Sequence, residues 1–151
     1  MPRNDIVIDA PPAAVYKTLL EAESYPRWVV GAKKLRGSDR SWPRRNSRFH
    51  HRVGVGPLTL DDSTKLIDSV PDKRVVLEVR IRPVGLGRVR LDLAPRRRGK
   101  RTKVVMTERP TGGPWKWFGR PLTNVAIRGR NAVSLRRLRR LVMASAGSAR
   151  Q

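Results

Sequence analysis

Residues Ile6–Trp28 read IVIDAPPAAVYKTLLEAESYPRW, and this stretch decides the fold. A short β-type run, Ile6-Val7-Ile8, meets Asp9, Ala10 and two prolines. Ala14, Val15, Thr18, Leu19 and Ala22 follow at helical spacing. Proline is tolerated in a first helical turn, where its missing N–H would have no intrahelical partner. Asp9 is expected to place a carboxylate near the positive end of that helix dipole. Ser24-Tyr25-Pro26-Arg27-Trp28 is expected to close the helix, because the residue before a proline is pushed out of the α region.

Beyond Trp28 the period changes from helical to β. Val29–Arg40 reads as a weak strand with a turn at Gly37-Ser38-Asp39, and Trp42-Pro43 opens a loop. In Arg48–Val55, Phe49, His51, Val53 and Val55 share one face, and Leu58–Val70 resumes after Gly56-Pro57. Pro71-Asp72-Lys73 is a turn. Arg74–Arg82 alternates cleanly, with Val75, Leu77, Val79 and Ile81 one way and Arg74, Glu78, Arg80 and Arg82 the other. After Gly85-Leu86-Gly87, Val89, Leu91 and Leu93 point inward; Pro95–Lys100 is a basic hairpin tip, and Thr102–Arg109 is the last strand. No helical pattern separates these strands, so they form an antiparallel meander.

Pro110–Pro114 breaks the sheet and a helix is expected from Leu122 to Ala144. Ile127, Asn131, Leu135, Leu138 and Val142 form its apolar stripe, with Arg130, Arg136, Arg137 and Arg140 mostly off it. The order is strand, paired helices, six strands, long helix. The opening strand, Pro-led helix and Tyr-Pro-x-Trp corner resemble the START-like (SRPBCC) superfamily. The RFHHRVGVGPLTLDDSTK, TERPTGGP and NAVSLRRLRRLV segments are similar to its polyketide cyclase/dehydrase and lipid-transport group. The resemblance implies an α+β helix-grip fold: a curved antiparallel sheet of about seven strands wrapped around a long C-terminal helix. It also implies an apolar ligand held between sheet and helix. One domain over 1–146 is expected, with 147–151 a disordered tail.

Composition narrows the chemistry. The 151 residues suit a single domain and include no cysteine, which excludes disulfides, thiolate metal sites and cysteine nucleophiles. There is no Walker loop, GxGxxG fingerprint or Gly-x-Ser-x-Gly, and His50 and His51 point to opposite faces of one strand, so no metal is expected. No apolar run approaches the about 18 residues of a spanning helix, and the first residues lack a signal-peptide pattern, so the expected location is the cytoplasm. Net charge is +22, with 26 arginines against 8 lysines and no acidic residue after Glu108. This reads either as compositional bias on solvated faces or as a footprint for nucleic acid or an anionic membrane.

The candidate site residues follow from parity. His51, on the apolar face, is a general base or a core histidine. Glu108 shares the inward parity of Thr102, Val104 and Met106, which suits an acid or base of shifted pKa or an ion pair with an arginine at the rim. Asp62 and Thr64 share the parity of Leu58, Leu60 and Leu66. Asn131 offers either an amide to a ligand or a structural hydrogen bond. His51, Leu60, Leu77, Leu91, Met106, Ile127, Asn131 and Leu135 are expected to line one cavity. Trp115, Trp117 and Phe118 are placed at its mouth, while Tyr25, Trp28 and Trp42 are wall and core. The leading expectation is binding of a lipid-, polyketide- or isoprenoid-type molecule without a cofactor. A polyketide cyclase or dehydratase using His51, Glu108 and Asp62 is the enzymatic alternative, and nucleic-acid or membrane contact through the arginines is a third. Oligomeric state is open.

Overall fold

The computed structural model describes residues 2–81, 85–113 and 120–148. Seven strands form one curved antiparallel sheet: β1 (Arg3–Ile8), β2 (Ala32–Ser38), β3 (Arg48–Val55), β4 (Leu58–Val70), β5 (Arg74–Ile81), β6 (Gly85–Arg96) and β7 (Arg101–Gly112). Their spatial order is β1-β7-β6-β5-β4-β3-β2. Thus β2 to β7 is a meander of successive hairpins, and β1 closes onto the last strand. Three helices complete the domain: α1 (Pro12–Leu20), α2 (Tyr25–Trp28) and α3 (Arg120–Ser148). This is the helix-grip arrangement that the order of elements predicts.

Alternation places the core. Val75, Leu77, Val89, Leu91, Leu93, Val104 and Met106 are buried on one face of β5, β6 and β7. Leu135, Leu138 and Val142 of α3 are buried with them, as are Val15 and Leu19 of α1. Each such side chain stabilises the fold by about 1.5–3 kcal/mol relative to exposure. All three helices cover this inner face; among the described residues none lies on the outer one. No helix among them is long and apolar enough to cross a membrane.

Several local expectations need correction. Asp9 lies two residues ahead of Pro11, the N-cap of α1, and makes no capping hydrogen bond. Asp9 instead meets Arg101 at 3.4 Å. Pro26 does not end a helix either. The chain leaves α1 at Glu21, passes a 3-10 turn over Ala22–Ser24, and restarts as α2 with Tyr25 in the α region. Pro26 sits in that new first turn, where it deprives the helix of no hydrogen bond. Burial of Tyr25 and Trp28 edge to face, ring centroids 5.8 Å apart, offsets the pre-proline restriction.

The strand expected over Val29–Arg40 is shorter, because Val29 is the C-cap of α2, its N–H donated to the Tyr25 carbonyl, and pairing with β3 starts only at Ala32; register shifts between Ala32 and Lys34 and between Leu35 and Gly37 fall within the strand. Arg82, placed on β5 from its pattern, lies outside the described residues. Helix α3 runs to Ser148, four residues past Ala144 and into the segment read as a tail. The Ser148 hydroxyl donates to the Ala144 carbonyl at 3.1 Å in its last turn.

Candidate functional site

Inward parity along β7 carries Glu108 to a position 2% exposed. A carboxylate so far from water requires a counter-charge and hydrogen-bond donors. Helix α3 supplies both. Arg130 Nη2 donates to Glu108 Oε1 and Oε2 at 2.8 and 2.6 Å, and Asn131 Nδ2 donates to Oε2 at 3.0 Å. Arg130 Nη2 also reaches Asn131 Oδ1 at 3.2 Å, so the three side chains form a closed unit. The arginine partner foreseen for Glu108 is present, but the carboxylate is buried beneath the helix and not at a rim. Asn131, fully buried, makes the structural hydrogen bond. Arg130, set off the apolar stripe by its position, curls its long side chain back under α3.

A second polar group lies on β3 and β4. His51 is fully buried, and its Nε2 stands 2.8 Å from Thr64 Oγ1. Its ring sits 5.0 Å from that of Tyr25 and 5.5 Å from that of Phe49, centroid to centroid. Its Nδ1 is buried without a hydrogen-bond partner. Burial, aided by the positive charge of His50 and Arg36, pushes the His51 pKa down to about 4. The imidazole is therefore neutral near pH 7. Asp62 is directly across the ladder from His51, and its Oδ1 accepts the Ser63 N–H at 2.9 Å. Burial drives the Tyr25 phenol up to about 12, opposed by a hydrogen bond with Thr64 and by the Arg130 charge. Tyr25 thus stays protonated and stands between the two polar groups.

Space opens beside these groups in two places. An open cleft of about 570 Å³ lies between the α2–β2 turn, the tip of the β3–β4 hairpin and α3. Its apolar wall includes Val29, Val30, Val53, Leu58, Leu60 and Val79, with Tyr25, Thr59, Arg80 and Arg130 as polar members. A small inner pocket of about 40 Å³ reaches Leu77, Met106, Glu108, Asn131 and Ser134. Tyr25, Val29, Val79 and Arg130 belong to both walls.

The eight residues expected around one cavity are therefore divided. Leu60 lines the outer cleft, and Leu77, Met106 and Asn131 line the inner pocket. His51, Leu91 and Leu135 line neither; they are packed in the core, where the elements touch and leave no gap. Ile127 is half-buried and on neither wall. Of the candidate acid–base groups Glu108 lines the inner pocket, and His51 and Asp62 are on the wall of neither this pocket nor the cleft. Trp115, Trp117 and Phe118, assigned to the mouth, lie outside the described residues. Reading by parity missed Arg130 and underused Tyr25 and Val29. Among the described residues no group of three His, Cys, Asp or Glu side chains is placed to hold a metal ion.

The family described as "Polyketide cyclase / dehydrase and lipid transport" matches residues 3–143. No curated protein matches the chain. Among solved structures, a protein of unknown function from Staphylococcus aureus, SA2116, superposes with a TM-score of 0.72 at 9% identity, covering 96% of this chain and 95% of that one. CV1439 from Chromobacterium violaceum gives 0.66 at 20% identity over 92% and 94%. The di-domain ARO/CYC protein BexL of the BE-7585A biosynthetic pathway gives 0.70 at 16% identity, over 91% of this chain and 44% of that one. These likenesses show the fold.

Proposed function

The chain belongs to the polyketide cyclase/dehydrase and lipid-transport family, and on that premise we propose that it holds a hydrophobic or amphipathic small molecule of lipid, polyketide or isoprenoid type in the cleft at the β3–β4 tip. One observation carries the reading. Leu58 is 80% exposed and Leu60 49% exposed, and both face an apolar wall that ends on Arg130 and Tyr25. A contiguous apolar wall open to water marks a place where a partner is missing. Covering each leucine recovers about 1.5–3 kcal/mol, and the volume falls within the few-hundred to about 1,000 Å³ range of small-molecule sites. The donors of Arg130 and Tyr25 give the polar end of an amphipathic ligand a fixed orientation.

Titration with the neutral fluorophore N-phenylnaphthylamine tests this. Leu58→Asp and Leu60→Asp are expected to weaken binding about tenfold or more, equivalent to ~1.4 kcal/mol. Unchanged affinity in both would refute the site. Native mass spectrometry of the purified protein would identify a ligand retained from the cell.

A second reading, a cyclase or dehydrase acting in the same cavity, is favoured by one feature: Glu108 lines the inner pocket beside Tyr25 and Arg130. Proton transfer there would use Glu108, with His51 and Asp62 further back. Turnover of a poly-β-ketone thioester, lost in Glu108→Gln and kept in His51→Gln, would support it. No turnover by the wild-type protein would leave binding alone.

A further inference from the structure

The outer face of the sheet carries a second depression, on the side opposite the cleft and free of helices among the described residues. Its volume is about 550 Å³, and Arg3, Arg88, Arg90 and Arg109 line it together with one carboxylate, Asp92. Half-buried Val76 and Val105 belong to the same lining.

The charges do not cancel. Asp92 is engaged by Arg90, whose Nε and Nη2 donate to it at 2.8 and 3.0 Å. Among the described residues Arg88 has a distant partner in Glu78, at 3.8 Å, and its Nε is buried without a hydrogen-bond partner. Register makes the excess worse: Arg88 on β6 is directly opposite Arg109 on β7. Arg90 and Arg3 flank Thr107 from the two neighbouring strands, bringing four guanidiniums onto three adjacent strands. Like charges directly opposite one another in a ladder destabilise it. A site of this kind becomes favourable when an anion takes up the spare donors, and guanidinium forks match phosphate oxygens two at a time.

We propose that this depression binds a compact soluble polyanion, a phosphate ester or pyrophosphate group carrying two or more negative charges. The positive groups are gathered in one concavity and not strung along a track. Among the described residues the lining also contains no aromatic side chain on which a nucleic-acid base could stack. Both points favour a compact anion over an extended strand. The site is separate from the apolar cleft and does not depend on what the cleft holds.

Calorimetric titration of the full chain with inorganic pyrophosphate, alongside thermal melts, tests the proposal. The wild type should bind pyrophosphate and melt at higher temperature in its presence. Arg88→Gln and Arg109→Gln should each weaken binding about tenfold or more (~1.4 kcal/mol). Arg137→Gln, on the solvent side of α3, should leave it unchanged. Without anion, Arg109→Gln should melt no lower than the wild type, because it relieves the pair opposite Arg88. N-phenylnaphthylamine binding should survive in all three variants, which separates a failure here from a failure of the cleft. The proposal is overturned if pyrophosphate does not bind or if the two variants bind as the wild type does. It is equally overturned if Arg137→Gln loses as much, or if only an oligonucleotide or phosphatidylglycerol vesicles bind.

Discussion

Replacing Arg130 with methionine strands a buried carboxylate. The substitution keeps an unbranched side chain of similar reach, so the main loss is the two charge-assisted hydrogen bonds to Glu108 and the counter-charge itself. Glu108 is 2% exposed and cannot turn to water for compensation; one hydrogen bond from Asn131 at 3.0 Å remains. Removing one partner of a buried pair costs about 3–5 kcal/mol. Arg130 is itself 33% exposed, and solvent screening at that end places the expected loss near the lower bound, about 3 kcal/mol. For a domain of this size that lowers Tm by roughly 6–12 °C. The converse change, Glu108→Gln, leaves an arginine that can reach water and should cost less, about 1–2 kcal/mol. The double variant removes the stranded charge and should recover part of the Arg130→Met loss. Urea and thermal unfolding of the four proteins form a double-mutant cycle. If Arg130→Met proves no more damaging than Glu108→Gln, Glu108 is not isolated from water and the argument fails.

Other consequences are equally direct. Because burial lowers His51 to about 4 from an unfolded 6.5, the unfolded chain binds a proton between those values that the native protein refuses. Stability contributed by neutral His51 is complete above pH 6.5 and falls by about 3 kcal/mol as pH drops to 4; His51→Gln should flatten unfolding free energy across that window. Tyr25 works in the opposite direction. Its folded value of about 12 against 10 makes stability fall as pH rises from 10 to 12, and ultraviolet difference titration should lose its late phase in Tyr25→Phe. Gly54→Ala would place a methyl group onto the Leu58 carbonyl oxygen and 2.8 Å from Thr59 Cα, both backbone atoms. The β3–β4 tip must then shift, at about 1–3 kcal/mol, and fluorophore binding in the cleft should weaken; an unchanged melt would show that the tip yields freely.

Strand periodicity was legible because a sheet with one covered face imposes strict alternation. Val75, Leu77, Leu91 and Val104 obey it without exception, and one glance at their neighbours assigns the outer face. The site was less legible for reasons of length and end effects. Leu58 and Leu60 share the parity of buried Leu66, yet they are exposed, so the same face is core at one end of β4 and cleft at the other. Parity reports a direction, not what stands opposite. Arg130 was hidden because a long side chain need not follow the azimuth of its Cα. Its signal was present in combination: an inward glutamate on β7 demands a cation, and after Glu108 the chain offers many cations and no competing acid. Tyr25 was marked as core by its neighbours, and only the fold shows that one edge of it faces a cavity.

The pairing of β1 with β7 has a kinetic consequence. Arg3 faces Thr107 and Ile8 faces Thr102, whereas every other ladder joins strands adjacent in the chain. Contacts of such long separation form late, after local hairpins have met the entropy of shorter loops. During synthesis the first strand emerges with no partner until nearly the whole sheet has followed it. Until it docks, β7 presents an open edge, and Asn4 lacks its hydrogen bond to the Arg128 carbonyl of α3 at 3.1 Å. An open edge recruits other strands. A chain lacking residues 1–8 should therefore retain much of the meander, exchange the six-residue edge strand β1 for the twelve-residue β7 edge and self-associate in sedimentation, so the short opening strand acts as a built-in stopper against aggregation.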